Sequence, residues 1–356
     1  MKCIPGLAAR TLARARSALP SLTLALPAAM ALAVALAQPA AAEPFRLIVS
    51  DAETPLVPNS VMELADQGGY FDRAGVDVEF VRVEQSPMVM AALRAGEGEM
   101  ANVSLDTLLQ AVAAGADDLR GVMSPNKALP YLVAGKDVAS VKDLNGKRFG
   151  IGRTGSVDHL LSMRVLAAQG VDTGSLKLVA LGQPQARAQA LIAGQIDATT
   201  MGIGSFTAID DQAGVSVLVG LDDFYKAAPV LSKLNVVRRE TLEKRGPEVQ
   251  AVIEAIILAA RDFQANPANW VAAMEKARPD VARADLEMLS KAFAGSWVVN
   301  GGLNEDEVRT AQAWLHEGED FKGLTPAPLT SFIDLAPLQA VLGRIGTSDA
   351  GDTAGK

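Results

Sequence analysis

Three glycines carry the most suggestive spacing in the 356-residue chain. Gly150, Gly152 and Gly155 spell G-x-G-x-x-G between a strand-like run, KRFGI, and a helical one, SVDHLLSMRVLAAQ; in that setting the motif cradles a dinucleotide pyrophosphate. A dinucleotide site also needs an acid at the end of the next strand, about 20 residues on, to hold the ribose. Here Asp172 falls in the loop before LKLVAL, and that strand ends in Leu181, Gly182 and Gln183. The motif then reduces to its physics, a glycine-rich turn into a helix start that offers backbone N–H groups and the positive end of a helix dipole. With Arg153, Thr154 and Ser156 beside Gly155, it suits a carboxylate, a sulfonate or a similar head group. The plainer alternative is that Gly155 and Ser156 make only a tight turn and a cap.

No other pattern offers chemistry. The chain contains no G-x-x-x-x-G-K-[ST], no G-x-S-x-G and no H-E-x-x-H. Ser124 to Lys127 reads Ser-x-x-Lys but stands without companion motifs. With His159 and His316 as the only histidines and Cys3 as the only cysteine, a zinc or copper site has no ligand set. Carboxylate-bound calcium stays formally open, though no EF-hand-like acidic loop is present. No cofactor, no metal and no catalysis are expected.

Charge is distributed unevenly. Lys2, Arg10, Arg14 and Arg16 precede the first acid, Glu43, and the run LTLALPAAMALAVALA leads to Ala40 and Ala42 at the small-residue positions of a cleavage site. Residues 1–42 read as a secretory signal peptide cut after Ala42; an uncleaved N-terminal anchor is the alternative. Without this leader the chain loses four positive charges and Cys3, so its formal charge moves from -8 to -12. That balance argues against nucleic acid and anionic membrane surfaces as partners. The export signal also takes the protein away from the compartment where nicotinamide cofactors are kept.

The elements that position these residues alternate between strand and helix, as α/β units with largely parallel strands do. FRLIVS (45–50) and VDVEFVRV (76–83) read as strands. Asn59 or Ser60 can cap the helix VMELADQGG, and MVMAALRA is a helix that Gly96 ends. LKLVAL (176–181) and IDATTM (196–201) are further strands. Leu160, Met163, Val165 and Leu166 supply the apolar face of the helix after the glycine loop. From Pro247 the chain turns helical, with Val249, Val252, Ile253, Ile256, Ile257 and Ala260 at 3.6-residue spacing. AALRAGEGEMA (91–101) and QALIAGQIDAT (189–199) echo one another at an offset of 98 residues. The echo is either a chance likeness of two common α-to-β turns or the mark of two similarly built lobes. In open α/β sheets ligands bind beyond the carboxyl ends of the strands, so two such lobes face to face would enclose a cleft.

ELADQGGYFDRAGVDVEFV, MAALRAGEGEMANVS, DLNGKRFGIGRTGS and ALIAGQIDAT resemble, in order and spacing, the solute-binding proteins of ABC importers for nitrate, taurine and aliphatic sulfonates, a family with relatives that bind thiamine pyrimidine precursors. RDFQANPANWVAAM and FIDLAPLQAVL resemble the family's closing helices, so the likeness runs over nearly all of 45–343. The resemblance implies the type II periplasmic-binding fold: two α/β lobes, each a mixed, mostly parallel sheet flanked by helices, with the ligand cleft between them. Lobe one would be 43–133 plus 238–356, with 346–356 a flexible tail, and lobe two 134–237. Ligand contacts would come from Asp51, Thr54, Gln85, Ser86, Asn102 and Ser104 in lobe one, and from Arg153, Thr154, Gly155, Ser156, Met201, Gly202 and Ser205 in lobe two. The implied function is the periplasmic capture of a small solute by a monomer whose closed lobes are read by a membrane permease with its ATPase. An exported sensor for a membrane partner, or an enzyme on the same fold, are the alternatives. Asp51 and Glu53 in the first loop depart from what an anion binder needs and suit a ligand with cationic or hydrogen-bond-donating groups. Trp270, Trp297 and Trp314 all follow the return of the chain to lobe one at 238, where core packing is the expected role.

Overall fold

The computed structural model describes residues 43–50, 53–56, 59–83, 86–125, 131–207, 209, 214–229, 231 and 233–350. The expected leader at 1–42, and Asp51 and Gln85 of the expected site, lie outside the described residues. The chain opens with β1 (Phe45–Val49), α1 (Ser60–Gln67), α2 (Tyr70–Ala74), β2 (Val78–Arg82), α3 (Ser86–Ala95), β3 (Met100–Ser104), α4 (Leu105–Ala113) and β4 (Leu119–Met123). It continues through β5 (Tyr131–Lys136), β6 (Arg148–Ile151), α5 (Val157–Ala168), β7 (Lys177–Ala180), α6 (Pro184–Ile192), β8 (Ala198–Gly202), α7 (Ile203–Thr207), β9 (Val215–Val219) and α8 (Leu221–Ala227). It closes with β10 (Lys233–Arg238), α9 (Arg239–Ala265), α10 (Pro267–Ala277), α11 (Arg283–Ala292), α12 (Glu305–Leu315) and α13 (Ala336–Ile345). Among the described residues, no helix is long and apolar enough to cross a membrane.

Two five-stranded sheets result, ordered β2-β1-β3-β10-β4 and β7-β6-β8-β5-β9. In the first, β1 runs parallel to β2 and β3, while β10 lies antiparallel between β3 and β4. In the second, β6 runs parallel to β7 and β8, while β5 lies antiparallel between β8 and β9. The lobe limits expected from the sequence, 133/134 and 237/238, fall inside β5 and β10. A short apolar run between loops looks alike as a linker or as a strand, and here β5 pairs with β8 from Tyr131 on and β10 with β3 from Lys233 on. The chain changes sheet between Met123 and Tyr131 and again between Val219 and Lys233.

The first sheet is apolar on both faces, as parallel strands covered by helices must be. Phe45, Leu47 and Val49 pack with Val61 of α1 and with Val252 and Ile256 of α9, while Ile48 packs with Val89 and Leu108 on the opposite side. All six apolar positions spaced along α9 are buried. The helix is kinked, with Arg245 outside helical geometry just before Pro247, whose ring removes a backbone donor and clashes with the preceding turn. The expected cap of α1 does not form: Asn59 makes no capping bond, and the buried Ser60 hydroxyl accepts the Trp270 indole N–H at 3.0 Å. On α5, Leu161, Val165 and Leu166 are buried, while Leu160 and Met163 are only half-buried.

Candidate functional site

The carboxyl ends of β1, β3, β6, β7 and β8 point to one place, and the amino ends of the antiparallel β5 and β10 arrive there too: Tyr131 opposes Gly202, and Lys233 opposes Ser104. A cavity of about 530 Å³ lies at this confluence. Ser50, Ser86, Ser104, Asp106 and Lys233 line it from the first sheet, and Tyr131, Arg153, Gly155, Ser156, Asp158 and Gln183 from the second. A third wall comes from α12 and the turn after it, through Trp314, Leu315, Asp320 and Phe321.

Five of the sequence-derived candidates therefore meet in the cavity: Ser86, Ser104, Arg153, Gly155 and Ser156. Six others do not. Thr54 is buried and donates to Glu63 Oε2 at 2.7 Å, a carboxylate that Arg82 also grips. Asn102 is fully buried within the sheet, its amide donating to Asn235 Oδ1 at 2.8 Å across the β3–β10 pair. Thr154 is exposed on the loop, and Met201 is a core residue. Gly202 ends β8 and Ser205 sits in α7, both outside the cavity lining. A strand-end position on the sequence does not fix which way the side chain leaves the strand.

The glycine motif is a cradle for the chain's own carboxylate. Asp158, in the first turn of α5, accepts from the Gly152 N–H at 2.8 Å and from Arg187 Nη1 at 2.6 Å through Oδ2. The Ser156 hydroxyl lies 2.6 Å from Asp158 Oδ1 and 2.7 Å from the Arg153 carbonyl, to either of which it can donate. A Cβ at Gly152 would lie 2.7 Å from Asp158 Oδ1, so only glycine admits this approach. Gly155 holds φ +79°, the left-handed region that favours glycine, and its N–H donates to His159 Nδ1 at 3.1 Å. That bond needs a neutral ring, and burial pushes the His159 imidazole below its usual pKa against the opposing pull of Asp158. The donors that would hold an external anion on this loop are thus engaged internally.

Arg153 spans the cleft, bonding Asp320 Oδ1 at 3.3 Å and Oδ2 at 2.5 Å. Beside it, Arg164 of α5 pairs with Glu317 and lies over the Trp314 ring at 4.2 Å from its centroid. Trp270 and Trp297 are core residues as expected, whereas Trp314 is half-buried and faces the cavity. Lys233 donates from Nζ to Ser50 Oγ at 3.0 Å. Tyr131 packs edge-on to Phe224, and burial first, then Asp158 and Asp106, raise its phenol pKa, so it remains a donor. Among the described residues, no three His, Cys, Asp or Glu side chains cluster so as to hold a metal.

A family model described as NMT1/THI5 like matches residues 60–270. No curated protein matches the chain by sequence. Among solved structures, the periplasmic aliphatic sulphonate binding protein SsuA from Escherichia coli is 18% identical with a TM-score of 0.65, over 82% of this chain and 92% of that one. The alkanesulfonate-binding protein SsuA from Xanthomonas axonopodis pv. citri, bound to MOPS, is 22% identical with a TM-score of 0.60, over 82% and 98%. The ligand binding component of an ABC-type import system from Staphylococcus aureus is 15% identical with a TM-score of 0.63, over 87% and 99%. These likenesses show the fold, a two-lobed periplasmic-binding architecture.

Proposed function

The chain belongs to the NMT1/THI5-like family, and from that premise we propose that it is the periplasmic solute-binding component of an ABC importer. It captures a small molecule between its two lobes and presents the closed form to a membrane permease and its ATPase. The observation that carries this reading is the cavity itself, about 530 Å³ and walled by strand-end loops of both sheets. That size is ordinary for a small-molecule site. A ligand touching both walls binds the closed arrangement better than the open one, and this difference in affinity drives closure. Each sheet with its covering helices is a lobe, joined by the two chain crossings. The sulfonate-binding relatives make sulfonates the first class to try, followed by nitrate, dicarboxylates, pyrimidines and amines.

A thermal-shift screen of the purified protein over that panel tests the proposal. A true ligand at 100 times its dissociation constant stabilises by about 2.7 kcal/mol, which raises the melting temperature by roughly 5 °C or more at this size. A hit that is converted and released as product would replace the carrier by an enzyme on the same fold.

A further inference from the structure

Among the described residues, one carboxylate on the cavity wall, Asp106, is left without a hydrogen-bond partner. Among the described lining residues are three carboxylates, Asp106, Asp158 and Asp320, and two cations, Arg153 and Lys233. Asp320 is taken by Arg153 through two hydrogen bonds, and Asp158 by Arg187 from behind the wall. The Gly152 and Gly155 N–H groups already have acceptors in Asp158 and His159. Lys233 donates to Ser50. Asp106, in the first turn of α4, is only half-buried and makes no hydrogen bond or ion pair among the described residues. The nearby Tyr131 hydroxyl likewise has no hydrogen-bond partner among them. The rest of the wall is largely apolar, with Leu160, Leu161, Leu231, Leu315, Trp314 and Phe321.

We propose that the solute carries a protonated amino group held by the Asp106 carboxylate, on an apolar body that lies against Trp314 and Phe321. This rests on the cavity being the solute site. An ammonium group supplies the donors that the Asp106 carboxylate accepts, in a charge-assisted hydrogen bond. A sulfonate alone would instead meet Asp106 as a like charge.

A matched series separates the possibilities: 2-phenylethylamine, 2-phenylethanol and 2-phenylethanesulfonate, titrated calorimetrically into the purified protein at pH 7. The amine should bind roughly tenfold or more tighter than the alcohol and tighter still than the sulfonate. In Asp106→Asn, the preference for the amine over the alcohol should vanish while alcohol binding stays. The melting temperature of unliganded Asp106→Asn reports whether the variant is folded, and the series on the unaltered protein needs no variant. A sulfonate that binds tighter than the amine, no preference within the series, or an amine preference that survives in Asp106→Asn would overturn the assignment. In the first of these cases the solute-binding reading stands; failure of every class in the broader panel would remove that reading instead.

Discussion

Asp158 decides what the most conspicuous motif in the sequence does. Its carboxylate accepts the Gly152 N–H and the Arg187 guanidinium, so a spacing suited to a foreign anion serves an internal one. The signal was present in the sequence as an acid three residues after Gly155, inside the first helical turn. Arg187 was not legible there, because α6 is brought beside the loop only by the sheet. With side chains 6% and 19% exposed, the pair is nearly dry. Removing one partner of such a pair strands the other, at a cost of about 3 kcal/mol. Arg187→Ala should lose that much by urea denaturation, with part of it restored in Arg187→Lys. A loss below about 0.5 kcal/mol, the level of an exposed pair, would mean that Asp158 is solvated and the loop holds without it.

The 98-residue echo belongs to the elements, and the structure makes it a repeat of function as well as of sequence. In the first sheet Glu99 accepts from the Arg46 backbone at 2.7 Å and from its guanidinium at 3.2 and 2.8 Å. In the second, Asp197 accepts from the Arg148 backbone at 2.7 Å and from its guanidinium at 3.1 and 2.7 Å. Each acid pins the strand after its turn to the first parallel strand of its own sheet. The turn before Glu99 is tight, since a Cβ at Gly98 would lie 2.6 Å from Ile48 Cγ1. The matching turns were therefore readable from the echo, whereas the antiparallel pairing of β5 and β10 inside the two sheets was not, because each pairs with segments far along the chain. The clamps predict an acid limb of stability. Burial alone pushes Glu99 up, but the hydrogen bonds and charge of Arg46 hold it below the usual range; hydrogen bonding from Arg148 does the same for Asp197 against a weaker burial effect. With both pKa values lower in the folded chain, the stabilisation is complete above about pH 4.5, the upper end of the unfolded carboxylate range, and is lost as pH falls through the folded values. Glu99→Gln with Asp197→Asn should lower the melting temperature at pH 6 and flatten its fall between pH 5 and 3. An equally steep fall in the double variant would place the acid sensitivity elsewhere.

At the scale of the whole molecule, the two lobes touch through contacts that no solute makes. Arg164 on α5 pairs with Glu317 and stacks on Trp314, and Tyr225 on α8 donates to Glu307 of α12 at 2.7 Å. Gly318 has no side chain to keep it from Leu160, where a Cβ would lie 3.1 Å from Cδ1. The wall that α12 forms was not foreseeable from sequence, because its residues return to the cleft more than 70 positions after the second crossing. Each contact is modest: the ion pair is worth about 0–1 kcal/mol, the stacked guanidinium about 0.5–1 and the phenol bond about 0.5–1.5. In the proposed carrier these contacts together favour the closed arrangement by about 2 kcal/mol, summed as roughly additive. Binding to a closed form that is only partly populated is weakened in proportion to that population. Arg164→Ala with Tyr225→Phe, neither of which alters a residue lining the cavity except through Trp314, should therefore raise the dissociation constant of any true ligand by roughly three- to tenfold. Small-angle scattering should find the unliganded double variant larger than the parent, with saturating ligand bringing both to the same dimensions. Equal dimensions without ligand, together with an unchanged dissociation constant, would show that the solute alone closes the cleft and that these contacts only follow it.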